Sequence, residues 1–340
     1  MKRRSLLTTI LFFAMLTTTI SCSNPGTKSS DAPPAKSDIK VGFSAWPGWF
    51  PWQISQDKKI FEANKIVVDL KWFDGYVESI STLAAGQIDA NSQTLGDTIS
   101  SVAGGADQVV VLVNDNSTGN DKIIVRSGIN SIADLKGKKV AAEEGTVDHF
   151  LLIQGLKKEG LTAKDIQFVP LETGKAAAAF VAGQVDAVAV FAPFTTQALK
   201  LKGSKELFSS KDFPGSISDH LVVSRKFLEA NPDKVQAMVD SWFATLDAIK
   251  ADPEASIAIM SKRGGVTPTE YKEYADGTKI FTIEENLKAF QPGTDMNSLP
   301  YAAEKMTAFL TEIGMAKTKP NLSKLFDDRF VKAYAAKQKK

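Results

Sequence analysis

The sequence predicts an α/β protein built as two similar lobes, and two observations lead to this fold class. From Ile39 onward, short apolar runs alternate with helix-length segments, a rhythm typical of parallel strands joined by crossover helices. The motif Ala85–Ala90 (AGQIDA) returns 97 residues later as Ala182–Ala187 (AGQVDA). In each copy a small-residue helix ends at a glycine and a strand begins after the aspartate. The repeat therefore predicts two lobes of like construction.

Short apolar runs are the predicted strands, and the longer segments between and after them are the predicted helices. The strands are predicted at 39–45, 67–72, 109–114, 139–142, 166–170 and 187–191. The helices are predicted at 51–63, 76–85, 94–103, 147–159, 175–182, 194–202, 233–250, 253–262, 268–275, 283–290 and 299–313. Proline stands at or near the first turn of several later helices, where its missing N–H costs nothing.

Composition excludes several classes of protein. Of the 340 residues, 43% are hydrophobic, and 41 Lys and Arg stand against 39 Asp and Glu. This balance excludes a disordered chain and a nucleic-acid-binding protein that relies on bulk positive charge. The single cysteine excludes a disulfide scaffold. Neither histidine has a Gly-x-Ser-x-Gly pattern nearby or a metal-ligand spacing, so we expect no catalytic residues, no metal and no cofactor.

The N-terminal segment has the pattern of an export signal. Within residues 1–21, three basic residues precede an apolar run, 6–16, that is too short to cross a bilayer. Cys22 follows small and apolar residues of the kind found before a bacterial lipoprotein cleavage site. Acylation at a new N-terminus would explain a lone thiol in an oxidising compartment; the alternative is a secreted protein with an unpaired cysteine. Residues 22–38 predict a flexible tether.

Aromatic residues follow the first predicted strand. Trp46 and Trp49 stand in a Pro- and Gly-containing loop at the strand end, where two lobes would form a ligand cleft. Their faces could enclose a flat or cationic ligand by stacking and cation–π attraction. The alternative is that they pack under the proline-rich loop. Trp52 is expected to turn into the helix that begins at Pro51.

Acidic residues follow most of the predicted strand ends. They are Asp74, Glu78, Asp97, Asp115, Asp121, Glu143, Glu144 and Asp148. No Arg or Lys stands in the same loops until Lys122 and Arg126, so an anion would be poorly compensated. A planar cation such as guanidinium could instead donate in-plane hydrogen bonds to carboxylates while lying flat on tryptophan. Helix N-termini at the cleft favour the rival ligand, an oxyanion. Asp148 could merely cap a helix, and one of Glu143 and Glu144 must face outward.

Several motifs, in their order and spacing, resemble those of a known family. They are Val41–Phe43 with Trp46, the twin Ala-Gly-Gln units, Leu135–Val140 and Phe191–Phe194. They resemble the solute-binding proteins of ABC importers for nitrate, aliphatic sulfonates, taurine and thiamine precursors, over about residues 39–315. The resemblance implies a type II periplasmic binding protein, with two lobes that are each a mostly parallel sheet flanked by helices, and a ligand cleft between them. One lobe is then split, 39–125 with 220–340, around an inserted lobe, 126–219.

The family resemblance also implies partners. These are a small solute and the permease and ATPase subunits of an ABC importer. The anchor predicted at Cys22 adds the membrane as a partner, and no nucleic acid is expected. We expect a monomer, in the periplasm or on the outer face of the cytoplasmic membrane. An enzyme is the alternative of a different class, because proteins that make the pyrimidine half of thiamine resemble the same family. Those enzymes are cytoplasmic, so the predicted export signal favours a binding protein.

A narrower resemblance concerns the acids of the cleft. Tyr76–Ser79, Asp97, the loop 119–121 and Glu144 with His149 look like the branch associated with urea- and guanidine-carboxylase systems. This resemblance implies that Glu78, Asp97, Asp121, Glu144 and His149 line the pocket. His149 could instead pack locally in the first turn of its helix. Phe191 is placed to cover the ligand from the second lobe, and it is equally plausible as core.

Overall fold

The computed structural model of the protein describes residues 39–316 and 318–338. The predicted signal segment, Cys22 and the tether lie outside these residues. The strands are β1 Ile39–Phe43, β2 Val68–Trp72, β3 Ala90–Thr94, β4 Gln108–Ser117, β5 Asp121–Val125, β6 Lys139–Ala142, β7 Gln167–Pro170, β8 Ala187–Phe191, β9 Lys205–Ser209, β10 Ser218–Ser224 and β11 Thr278–Ile280.

The helices surround the two sheets that these strands form. They are α1 Pro51–Asp57, α2 Ile60–Ala63, α3 Tyr76–Ala84, α4 Leu95–Ala103, α5 Val147–Lys158, α6 Thr173–Val181, α7 Phe194–Leu199, α8 Arg225–Ala230, α9 Pro232–Ala251, α10 Pro253–Gly264, α11 Pro268–Glu273, α12 Ile283–Ala289, α13 Leu299–Glu312 and α14 Arg329–Gln338. None of those within the described part of the chain is long and apolar enough to span a membrane. The first predicted helix, 51–63, is two short helices, because Lys59 adopts a left-handed backbone conformation between them.

Two mixed sheets confirm the predicted α/β class. The first has the strand order β11-β4-β10-β3-β1-β2, and the second has the order β7-β6-β8-β5-β9. All six predicted strands are present, and the pairs β1–β2 and β6–β7 are parallel. Strand β3 was predicted only as the strand that begins after Asp89 of the repeat, and the strands β5, β9, β10 and β11 were not predicted. These four strands pair antiparallel with their neighbours, so each sheet contains antiparallel strands beside its parallel ones.

The chain crosses between the sheets twice. It leaves the first sheet between β4 and β5 and returns between β9 and β10. The hydroxyl of Ser210 lies 2.7 Å from the Ser117 hydroxyl and accepts the Gly119 N–H at 2.7 Å, which ties the two crossings together. Strand β5 pairs with β8 and β9, so residues 121–125 belong to the second sheet, whereas the predicted boundary placed them with the first lobe. The residue boundaries of the two lobes stay a prediction.

Contacts between the helices of the two halves hold them together. Lys157 of α5 pairs with Glu312 of α13 at 2.7 Å, and Lys200 of α7 pairs with Glu270 of α11 at 2.7 Å. Trp52 is core, because it is buried against Trp242 with ring centroids 4.7 Å apart. The loops that follow β1 and β8 therefore face each other across a narrow cleft.

Candidate ligand-binding site

Four aromatic side chains meet in the cleft and form what we call the aromatic cage: Trp46, Trp49, Tyr76 and Phe191. Trp46 and Trp49 lie in the loop after β1, Tyr76 begins α3, and Phe191 ends β8. Ring centroids lie 6.5 Å apart for Trp46 and Trp49, 5.4 Å for Trp49 and Tyr76, 6.3 Å for Tyr76 and Phe191, and 6.3 Å for Phe191 and Trp46. The contacts close a cycle, and each of the four side chains is at most 5% exposed.

The loop that carries the two tryptophans is fixed against the end of β4. The Trp46 indole N–H donates to Asp115 Oδ1 at 2.9 Å. Gly48 lies directly on the same carboxylate, and a Cβ at this position would stand 2.1 Å from Asp115 Oδ2. Only glycine allows the loop to approach so closely, which orients both indole rings toward the cage.

A small cavity lies inside the aromatic cage. It is lined by Trp46, Trp49, Tyr76, Thr94, Asp121, Val147, Phe191 and Asp219. Its volume is about 10 Å³, close to the space that one water molecule needs. A solute of several heavy atoms is larger than this cavity.

Strands of both sheets bring carboxylates to this cavity. Asp219 of β10 stands opposite Thr94 of β3 on one side and Asp115 of β4 on the other. Asp121 begins β5, directly after the crossing between the sheets. Asp121 and Asp219 are each 1% exposed, and the Oδ2 atom of each has no hydrogen-bond partner among the described residues.

Two helix starts add further carboxylates. Asp97 stands in the first turn of α4, where it accepts the Thr94 hydroxyl proton at 2.8 Å and its own N–H donates to Thr94 Oγ1 at 3.2 Å. Asp148 stands in the first turn of α5 and is fully buried. Both carboxylate oxygens of Asp148 lack a partner in the described part of the chain. We call Asp97, Asp115, Asp121, Asp148 and Asp219 the acidic cluster.

Burial raises the pKa of every carboxyl in the acidic cluster. It raises the pKa of Asp97, Asp115 and Asp121 to about 7, although hydrogen bonds to these carboxylates lower the pKa of each. The pKa values of Asp148 and Asp219 are raised well above the usual range, first by burial and then by the negative charge of neighbouring acids. The site therefore resists carrying its full negative charge.

Positive charge is scarce around the cluster. No Lys, Arg or His is among the residues that line the inner cavity. Lys122 favours the carboxylate form of Asp121, but its ammonium is paired with Glu206. Burial lowers the pKa of His220 to about 3, so this ring is neutral. Within residues 39–316 and 318–338 there is no group of three His, Cys, Asp or Glu that could hold a metal ion.

Residues 46–256, which carry most of this site, match the family described as NMT1/THI5 like. The chain is a member of the NMT1/THI5-like family. A provisionally named aliphatic sulfonates-binding protein of Escherichia coli (strain K12) is 30% identical over 264 residues, which are 75% of this chain and 82% of that protein. A provisionally named binding protein of Brucella abortus (strain 2308) is 27% identical over 281 residues, 80% of this chain and 85% of the relative.

A solved structure has a similar fold. The alkanesulfonate-binding protein SsuA from Xanthomonas axonopodis pv. citri, bound to MOPS, superposes with a TM-score of 0.73 at 22% identity. The match covers 85% of this NMT1/THI5-like chain and 98% of SsuA. The predicted family and the two-lobed periplasmic-binding-protein fold are thereby confirmed. The narrower resemblance to the guanidine-carboxylase branch stays a prediction.

Four of the predicted site residues line the cavity of this family member: Trp46, Trp49, Asp121 and Phe191. Asp97 lies beside it in the acidic cluster. Glu78 is exposed and lines a separate outer cleft of about 650 Å³. The outer cleft is lined by Ala45, Trp72, Asp74, Gly75, Val77, Glu78, Glu143, Glu172, Lys175 and Phe194.

The structure does not bring Glu144 and His149 to the inner cavity. Glu144 is exposed, and Glu143 is the buried member of the pair; its Oε2 accepts the Thr173 hydroxyl proton at 2.7 Å. His149 stacks on Phe168 with ring centroids 4.5 Å apart. Its Nδ1 accepts the backbone N–H of Gly145, so the ring packs locally in the second half of the chain.

The acidic cluster contains residues that sequence reasoning did not select. Asp115 and Asp148 stood among the acids near predicted strand ends, but nothing distinguished them from solvated side chains. Asp219 gave no signal, because β10 was not predicted. The pattern that could have revealed β10 is a segment whose first residues are polar and whose later residues are apolar. The polar end of this strand lies at the cleft.

Proposed function

We propose that the protein is the extracytoplasmic solute-binding component of an ABC importer, which presents a small solute to permease and ATPase subunits. Membership of the family, the names of its relatives and a cavity walled by both halves of the chain support this function. Since Phe191 comes from the second sheet and the tryptophans from the first, a solute in the cage joins the two halves and favours their closure. The alternative of a thiamine-pyrimidine enzyme has less support, because neither His149 nor His220 lines the cavity.

The proposed solute is a small guanidinium-like cation. The observation that carries this proposal is the pair of unpartnered, buried carboxylate oxygens of Asp121 and Asp219 in an aromatic cage without a compensating cation. Guanidinium is flat, and its N–H groups donate in the plane while its faces contact aromatic rings. Two aspartates and four aromatic rings that line one cavity match both of these properties.

An oxyanion such as a sulfonate or nitrate is the second candidate, because the Escherichia coli relative is named for aliphatic sulfonates. Such an anion would use the free N–H groups of helix N-termini. Here the protein's own side chains already use some of them. Glu143 Oε1 accepts the Val77 N–H of α3 at 3.4 Å, and Thr94 Oγ1 accepts the Asp97 N–H of α4 at 3.2 Å. These contacts favour the cation.

Calorimetric titration of the full-length protein with guanidine, taurine and nitrate separates the two candidates. We expect guanidine to bind, and Asp219→Asn to weaken that binding at least tenfold, since an Asp–guanidinium contact in a buried site is worth more than about 1.4 kcal/mol. Asp276→Asn, at an exposed position outside the site, is the matched control and should bind like the wild type. Binding of taurine or nitrate without a response to guanidine would reverse the preference.

We further propose that Cys22 is acylated and that residues 22–38 tether the binding domain to the membrane. The composition of this segment and the single cysteine support the proposal. Cys22→Ala should move the protein from the membrane fraction to the soluble fraction, and mass spectrometry of the wild type should find a lipid on the N-terminal peptide. An unmodified cysteine in the wild type would contradict the anchor.

A further inference from the structure

The acidic cluster places five carboxyls in one buried region, and this number exceeds what a single small cation can neutralise. Neighbouring carboxylates repel one another, and burial penalises the charge of each. Several of these carboxyls must therefore stay protonated when the protein is free. The cluster then stores protons in the same place where the proposed function puts a positive charge.

We propose that solute capture is linked to proton release, with Asp115, Asp148 and Asp219 acting together with Asp97 and Asp121: an entering guanidinium-like cation displaces at least one proton from the cluster to solvent. This inference rests on the proposed function. A neutral Asp–COOH loses H⁺ to water and becomes a carboxylate paired with the cation. One positive charge replaces another, so the net charge of the buried site is unchanged and no covalent bond is made or broken besides the O–H bond.

Asp115 and Asp219 are one pair of carboxyls in the cluster that repel each other. The two residues stand opposite each other on β4 and β10, and the negative charge of Asp115 adds to burial in raising the pKa of Asp219. A proton on Asp219 would relieve this repulsion. A cation that contacts the unpartnered Asp219 Oδ2 would weaken the hold on this proton.

The groups that face the cluster do not supply another way to balance its charge. Glu143, at the end of β6, adds negative charge near Asp97 and Asp148. Tyr76 of α3 and Tyr271 of α11 stay neutral, because burial raises the pKa of each phenol. The nearest cation to act on the cluster is Lys122 of β5, which is paired with Glu206.

The two histidines next to the cluster do not change this balance. His220 follows Asp219 on β10, and its pKa is lowered to about 3 by burial, so it is neutral. His149 of α5 faces Phe168, and burial lowers the pKa of this ring as well. The charge of the cleft therefore depends on how many of the carboxyls are protonated.

The same cluster would behave in the opposite way with an oxyanion. Protonated carboxyls can donate hydrogen bonds to an anion, so an anion would draw protons into the site and bind more tightly at low pH. A cation releases protons and binds more tightly as the pH rises. The sign of proton exchange therefore distinguishes the two modes of binding.

The experiment is a calorimetric titration of the full-length protein with guanidinium chloride at several pH values between about 5.5 and 8, in two buffers of different ionisation enthalpy. The dependence of the observed heat on the buffer counts the protons that are exchanged. We expect net proton release below about pH 7 and an affinity that rises by about tenfold per pH unit for each proton released. Asp219→Asn should lower the number of protons released, and Asp276→Asn should leave it unchanged.

The possible failures are distinguishable. Guanidinium binding with no proton exchange, or with proton uptake, would overturn the proton linkage and leave the proposed function standing. The absence of any guanidinium binding to the wild type would overturn the proposed solute and the linkage with it. Far-ultraviolet circular dichroism of Asp219→Asn confirms folding, and because the decisive proton count is made on the wild type, an unfolded variant does not affect the conclusion.

Discussion

Replacing Asp121 by Asn should stabilise the free protein and weaken solute binding. Burial raises the pKa of Asp121 to about 7, whereas an aspartate in the unfolded chain titrates near about 3.9. The native state therefore holds this proton more tightly, and stability falls as the pH rises from about 4 to about 7. At about 1.4 kcal/mol per pKa unit, the loss is on the order of 4 kcal/mol above pH 7 and between about 1 and 2 kcal/mol at pH 5.

Asn has nearly the same volume as Asp and removes the cost of the buried charge. Burying its amide costs about 1–3 kcal/mol in desolvation, which offsets part of this gain. A net gain of about 1–3 kcal/mol at pH 7.5, which declines toward zero near pH 4.5, is therefore expected. Urea unfolding of the full-length protein at several pH values measures it, with the exposed Asp276→Asn as control. A gain that is the same at every pH, or a loss at pH 7.5, would refute the reasoning, because neither follows from a carboxyl that is hard to ionise.

Three further changes test the cage and the packing around it. Trp49→Ala should weaken guanidine binding about 3- to 30-fold in calorimetry, since it removes one face of the cage; an unchanged affinity would place the cation elsewhere. Gly155→Ala should lower the free energy of urea unfolding by about 1–3 kcal/mol, because its Cβ would stand 2.1 Å from the Phe208 ring. Thr267→Ala should cost about 1 kcal/mol in the same assay, since this hydroxyl caps α11 by accepting the Glu270 N–H; no loss would mean that the helix is held by its packing alone.

The fold was largely predictable because its signals are local. Apolar runs set β1 and β8, prolines and glycines set helix ends, and the repeated Ala-Gly-Gln motif places a helix end and a strand start in each half. The strands β5 and β10 were missed, because each begins with polar residues that resemble a loop when no partner strand is known. Their burial comes from neighbours that are distant in the sequence, and no local pattern reports these.

The aromatic and acidic character of the cavity was predictable from the sequence, but only some of its residues were. Trp46 and Asp121 follow or begin strands at the cleft, and a strand end is a local feature. The choice between Glu143 and Glu144 depends on which face of β6 turns inward, and one residue of register exchanges the two. Asp219 reaches the cavity through pairing with Asp115 across β10 and β4, a contact between residues more than a hundred positions apart.

If the proposed solute is right, the acidic cluster explains how a shared fold can accommodate solutes of opposite charge. The helix starts at the cleft provide N–H groups that would bind an oxyanion, and the fold supplies them whatever the side chains are. In this chain Glu143 accepts the Val77 N–H of α3, Thr94 accepts the Asp97 N–H of α4, and the strand ends add Asp121 and Asp219. An anion would then have to displace a covalently attached carboxylate, whereas a cation would find oxygens that lack partners. The charge of the cargo is thus set by a few side chains at strand and helix ends, and the effect of Asp219→Asn on guanidine binding measures how much of it one of them contributes.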